Sequence, residues 1–282
     1  MNSTERMILG NDCIYSGDPE ETGLNRNVLI VGGTGSGKTK SYVEPELMEA
    51  LRVENPNNKC VILTKRDIPD RYIPLFEAAG FTVYDLDLSD SEKGNCCYDP
   101  LAYVKSEEDI SDLAHAIVMA NERKEHSNAD PFWDESSEQL LGAEIGATLM
   151  TKNKPTFADV LNLHFSLKIQ ESGCGITTSL DSLFKTIEKA APDCYAAVCW
   201  KTFREAAAKT AKSIYVSMNP TLRAFTTSIR NNMRNKPPVD FDKFASEKSI
   251  LFITTSPVKK ALSWFGQHFC VSGDLRIIYN CR

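Results

Sequence analysis

The chain has 282 residues, 42% of them apolar and 25% charged, with a formal net charge of −6. At roughly 100–200 residues per domain this is one large domain or two small ones, long enough to bury a core without disulfides or metal. The composition excludes disordered, collagen-like and coiled-coil chains, no apolar run approaches the ~18–20 residues of a membrane span, and Met1 to Arg6 lacks the basic-then-apolar layout of a signal peptide.

The first expected strand is Asn27-Val28-Leu29-Ile30-Val31, apolar and β-branched. It runs into Gly32-Gly33-Thr34-Gly35-Ser36-Gly37-Lys38-Thr39, and a helix is expected to open near Gly37, with Pro45 bending it or ending its first part. A second strand, Cys60–Thr64, is followed by a helix over about Pro69–Ala79 that stops at Gly80. A third strand is expected over Phe81–Leu86. This alternation is the rhythm of a parallel sheet with crossover helices. From about Glu107 to Met218 the pattern turns helical: Ile110, Leu113, Ala114, Ile117 and Val118 keep helical spacing. Asp130-Pro131 starts a further helix, with Phe132 and Trp133 read as buried aromatics at its beginning. Gly173-Cys174-Gly175 is a break, and a strand returns at Ser249–Thr255. The fold class is therefore α/β with an inserted all-α domain. Its expected boundaries are 1–105 for the first part of the α/β domain, 106–218 for the insert and 219–282 for an incomplete return to the α/β domain.

Residues Gly32 to Thr39 fit the phosphate-loop pattern Gly-x-x-x-x-Gly-Lys-Ser/Thr, set between an apolar strand and a helix. Glycines permit left-handed backbone angles and close approach to a ligand. Successive N–H groups then face one concavity and bind phosphate oxygens, helped by the positive end of the helix. All eight residues, Gly32, Gly33, Thr34, Gly35, Ser36, Gly37, Lys38 and Thr39, are read as binding the nucleotide. Lys38 is expected to reach the β- and γ-phosphates, and the Thr39 hydroxyl to hold Mg²⁺.

Turnover also needs a carboxylate at the end of a neighbouring strand. Phe81–Leu86 ends near Asp85 and Asp87, but Thr82 and Tyr84 make it read as half-exposed. Ile250–Thr255 ends in hydroxyl residues, and Leu275–Tyr279 ends in Asn280. Whether the chain is an enzyme is left open by this search.

The charge is unevenly divided: residues 201–282 hold 14 Lys/Arg against 5 Asp/Glu, +9, which leaves −15 for residues 1–200. Within 201–236, Lys201, Arg204, Lys209, Lys212, Arg223, Arg230, Arg234 and Lys236 stand against Glu205 alone, interleaved with Phe203, Tyr215 and Phe225. Basic side chains with stacking rings suit single-stranded nucleic acid; the same pattern suits a solvated helix face with its rings in the core. Lys209, Lys212, Arg223 and Arg230 are the candidate contacts. The nine cysteines, an odd number with no Cys-x-x-Cys spacing, read as reduced thiols rather than a disulfide framework or zinc site. His115, His126, His164 and His268 show no pattern with acids and read as structural or surface residues.

The stretch Thr22–Thr39, with Tyr42-Val43-x-Pro45-x-Leu47, resembles the TraG/TraD-type coupling ATPases of type IV secretion and conjugation. So do Asn95-Cys96-Cys97-Tyr98-Asp99-Pro100-Leu101, Asp130-Pro131-Phe132-Trp133-Asp134 and Ala208-Lys209-Thr210-Ala211-Lys212-Ser213-Ile214, in family order. The resemblance implies a RecA-like P-loop NTPase parallel sheet with an inserted all-α domain. It also implies ATP and Mg²⁺ as cofactors and a ring, usually a hexamer at full length. Such a ring moves single-stranded DNA or a relaxase–DNA complex towards secretion-channel proteins. The implied location is cytoplasmic, peripheral to the inner face of the cell membrane.

Three departures stand out. The chain carries no membrane helices and resembles the shorter soluble variants. Where the family has Asp-Pro-Lys-Gly-Glu, this sequence reads Thr64-Lys65-Arg66-Asp67-Ile68-Pro69, so an acid near the nucleotide is missing or shifted to Asp67. The family likeness fades after about His268, before the acidic Walker B strand, as a truncated or frameshifted product would. Two other readings stay open: a DNA-pumping ATPase of the FtsK/HerA type, marked by DNA-stimulated hydrolysis without a secretion partner, and a non-catalytic nucleotide-binding interaction fragment, marked by binding without turnover.

Overall fold

The computed structural model describes residues 4–10, 12–24, 27–90, 92–119, 131–173, 175–255 and 276–279. In chain order they form β1 (Arg6–Gly10), β2 (Cys13–Ser16), α1 (Pro19–Thr22), α2 (Glu44–Arg52), β3 (Lys59–Leu63), α3 (Asp67–Ala78) and β4 (Thr82–Asp87). There follow α4 (Glu107–Met119), α5 (Phe132–Thr151), α6 (Phe157–Ser166), β5 (Ile169–Ser172), β6 (Gly175–Thr178), α7 (Asp181–Ala190), α8 (Tyr195–Arg204), α9 (Ala208–Leu222), α10 (Thr227–Asn235), α11 (Phe241–Ser246), β7 (Ser249–Thr254) and β8 (Arg276–Tyr279). They divide into two compact units. One runs up to Cys96 and resumes at Val239; the other is Cys97–Pro238.

The first unit is built on a parallel sheet in the order β4-β7-β3-β8, with Leu63 beside Thr254 and Leu86 beside Ile253, so the carboxyl ends of three strands share one edge. β3 and β7 are apolar on both faces, as strands of a covered parallel sheet must be. α2 and α3 bury Leu47, Ile68, Tyr72 and Phe76 against Val61, Leu63, Ile250 and Phe252. Phe76 meets Phe81 edge-on at 4.7 Å. Full burial of each such side chain stabilises the unit by about 1.5–3 kcal/mol. Lys59, at the start of β3, is fully buried and pairs at 2.9 Å with Glu5, the residue before β1. Glu49 of α2 accepts from Arg52 and from the Arg6 side chain and backbone, which together hold its carboxyl well below the usual range despite burial.

Two expectations change. The run Asn27–Val31 is not a strand of the sheet: residues 27–33 join no ladder among the described residues, and Leu29 and Val31 are 89% and 86% exposed. Both edges of β3, the strand that a short crossover would reach, are occupied by β7 and β8. The helix that follows opens at Lys38 as a π turn, Thr39–Val43, before α2. Pro45 explains the wide turn. It has no N–H for the Ser41 carbonyl, and Glu44 donates instead to Thr39, five residues back. β4 is also not half-exposed, since Tyr84, Asp85, Leu86 and Asp87 are all buried.

The second unit is mostly helical and centres on α5, which is buried nearly all round from Leu140 to Thr148. Gly142 and Gly146 make room for α8: a Cβ on Gly146 would stand 2.8 Å from the Ala196 methyl. Phe184 and Trp200 stack at 4.0 Å. The unit is not purely α-helical, because the glycine-rich break is part of an antiparallel hairpin, β5–β6. Its two chain ends lie side by side, with the Cys97 amide donating to Pro237 at 2.9 Å. Asp99, two residues further on, accepts at one oxygen from the amides of Leu101 and Phe157. Phe132 and Trp133 are half-exposed rather than buried, and Asp130 lies outside the described residues.

Candidate functional site: the glycine loop and the sheet edge

Gly32–Gly37 form an exposed loop that passes directly into a helix at Lys38. The glycines are needed for distinct reasons. Gly35 and Gly37 have φ of +80° and +86°, which side-chain-bearing residues rarely adopt, and a Cβ on Gly32 would stand 2.6 Å from the Ser36 hydroxyl. The Ser36 amide donates to the Gly33 carbonyl at 3.2 Å. The Lys38 ammonium curls back onto the loop, donating to the carbonyls of Gly32 at 2.5 Å and Gly33 at 3.0 Å. Thr39 is half-buried at the start of the π turn, and its carbonyl takes the Glu44 amide. Glu44 also binds Arg71 and the Tyr72 hydroxyl, which ties the beginning of α2 to the first turns of α3. α3 begins where β3 ends, at the carboxyl edge of the sheet.

At that edge sits a cluster that sequence reasoning missed. The Arg66 guanidinium grips Asp85 at 2.7 and 3.0 Å, Asp87 at 2.9 Å and Asp70 at 3.0 Å. Asp85 and Asp87 lie two residues apart on one strand and so share a face, which was the readable signal: buried acids at that spacing require a cation. Burial raises the Asp87 pKa, but hydrogen bonds from Ser89, the Asp90 amide and Arg66 outweigh it and hold it below the ordinary value. Pairing with Asp85 first, and then Asp87 and Asp70, raises that of Arg66 against its own burial. Asp67, the next residue, is exposed at the start of α3. No group of three or more His, Cys, Asp or Glu among the described residues could hold a metal ion.

In the second unit, Lys209 and Lys212 are exposed on α9, Arg223 is exposed at its end, and Arg230 is half-buried on α10, reaching Thr227 at 3.3 Å. The interleaved rings do not accompany them to the surface. Phe203 is buried against Trp200, Phe225 packs on Phe157 at 4.9 Å, and Tyr215 lies over His164 at 4.8 Å. Two histidines do pair with acids: His115 with Glu138, and His164 with Glu144 at 2.9 Å, both of the latter fully buried. Burial pushes the Glu144 carboxyl up against the opposing pull of His164. His126 and His268 lie outside the described residues.

Among the described residues no helix is long and apolar enough to cross a membrane. Comparison with curated proteins finds no match. A family model, described as type IV secretory system conjugative DNA transfer, matches residues 1–271 and bears out the resemblance to TraG/TraD-type coupling proteins. Because that match takes in nearly the whole chain, the protein belongs to the type IV secretory conjugative DNA transfer family.

Proposed function

We propose that the chain is an ATP-binding coupling protein that couples nucleotide to DNA movement in type IV secretion. The observation that carries this reading is the exposed glycine loop whose lysine, among the described residues, bonds to carbonyls of that loop alone. A triphosphate entering the concavity offers Lys38 stronger, charged acceptors in place of two neutral carbonyls. The amides of Gly33, Thr34, Gly35, Gly37 and Lys38 would line the phosphates, with Ser36 closing the turn through its own amide and Gly32 giving the clearance the turn needs. Thr39 would supply the hydroxyl that holds Mg²⁺ on the phosphates. The RecA-like form of the nucleotide domain, a hexameric ring, relaxase–DNA as cargo and a station at the inner membrane face belong to the same reading. So does contact with DNA through Lys209, Lys212, Arg223 and Arg230.

The test is ATP–Mg²⁺ binding and turnover measured side by side for the parent and Lys38→Ala. The parent should bind and the variant should lose at least tenfold in affinity; equal binding would remove the loop from the site. One observation favours binding without turnover. The acids at the carboxyl edge of the sheet, Asp85 and Asp87, are both held by Arg66 and are not free to order a metal or an attacking water.

A further inference from the structure

We infer that the outward face of α9 holds a DNA strand through its phosphates alone, without base stacking, and so without regard to sequence. This rests on the reading that the chain handles DNA, and it names how the second unit makes the contact. Lys209, Lys212, Ser213, Val216, Ser217 and Arg223 are all exposed and recur at helical spacing, while Ala211, Ile214, Met218 and Leu222 turn inward. The cationic stripe runs from residue 209 to 223, about 21 Å at 1.5 Å per residue, the rise of roughly six nucleotides of one strand. No acid lies on it, and its three cations form no ion pair among the described residues. Neighbouring cations are differently used: Lys201 is paired with Glu188 at 3.0 Å, and Arg204 donates to the Ile176 carbonyl.

Base recognition is what the face lacks. Single-strand binders that stack bases present aromatic faces in the groove. In this stretch Phe203 and Phe225 are buried in the unit, and Tyr215, half-buried, packs over the ring of the buried His164. What remains outward is charge, hydroxyl and the aliphatic Val216; none of these offers a ring to a base, and the charges and hydroxyls fix a strand by its phosphates, which carry no sequence information. An acidic protein surface would meet the same cations. DNA is favoured because the family moves DNA and because a row of phosphates matches a stripe of cations free of acids.

The experiment is fluorescence anisotropy on the whole chain with three 30-nucleotide strands: oligo-dT, oligo-dA and an abasic phosphodiester strand. The parent is compared with the triple variant Lys209→Glu/Lys212→Glu/Arg223→Glu, whose fold is checked by circular dichroism. We expect the three strands to bind the parent within threefold of one another. The triple variant should lose at least tenfold in affinity near 0.1 M salt, and the slope of log K against log salt should flatten by about two, the value for three single-strand phosphate contacts. An abasic strand bound more than tenfold more weakly than oligo-dT would overturn the inference by revealing stacking. Unchanged binding in the triple variant would overturn it by removing the face, leaving the DNA reading intact. Equal displacement by poly-glutamate of matched charge would assign the face to an acidic protein instead. A parent that binds no strand at all would sink the DNA reading and this inference with it.

Discussion

Asp99 offers the sharpest stability test. It is buried, and a single carboxylate oxygen accepts the Leu101 amide at 3.1 Å and the Phe157 amide at 2.9 Å. Burial pushes its pKa up to about 6; the two amides pull the other way, and Asp159 adds repulsion. The folded pKa lies above the ordinary value of 3.8, so between those pH values the folded chain holds the proton more tightly than the unfolded chain does. Stability from this group therefore falls as pH rises from about 4 to about 6 and is flat above. A pKa moved from 3.8 to about 6 corresponds to a penalty of about 3 kcal/mol at neutral pH. Asp99→Asn keeps an acceptor for both amides and removes the charge. It should be at least as stable as the parent at pH 7.5, by up to about 3 kcal/mol, with the advantage shrinking by about 2 kcal/mol at pH 4.5. Asp99→Ala removes the charge too but leaves two buried amides unpaired, so it should be about 2–4 kcal/mol less stable than Asp99→Asn at both pH values. Urea denaturation followed by circular dichroism reads all three proteins, and other carboxylates cancel in the difference. If Asp99→Asn is as damaged as Asp99→Ala at pH 7.5, or if its difference from the parent does not change with pH, burial does not outweigh hydrogen bonding at Asp99 and the reasoning fails.

Two further expectations concern the first unit. Leu29→Ala should change stability by no more than about 0.5 kcal/mol, whereas Leu47→Ala, in the core, should cost about 2–5 kcal/mol; comparable losses in denaturant melts would return residues 27–31 to a packed strand. Arg66→Met should cost about 3–5 kcal/mol in the same assay by leaving Asp85 and Asp87 buried without their cation, and a neutral result would show the cluster to be solvated.

Local chemistry was legible where neighbours in sequence decide it. Gly35 and Gly37 could be placed in a phosphate-type loop because only glycine takes their backbone angles freely. β3, α3, β4 and β7 could be placed from apolar runs and helical spacing, with Gly80 at a turn of φ +78°. The family could be named from blocks such as Asn95–Leu101. Asn95 shows what such a block does: its side chain takes the Asp85 amide and donates to Val83, closing the edge of β4.

What lay beyond the sequence was partnership at long range. An apolar β-branched run becomes a strand only if an edge is open to it, and Asn27–Val31 has none on β3. Asp85 and Asp87 could as well have held a metal until Arg66 was placed beside them. The rings of residues 203–225 could as well have faced a nucleic acid until packing drew them inward, because an aromatic side chain gains more by leaving water than any short stretch of sequence can reveal. Composition and spacing determined which chemistries this chain can perform. Tertiary burial decided which charges stay free to perform them, since a buried charge is committed to its partner and an exposed one is not.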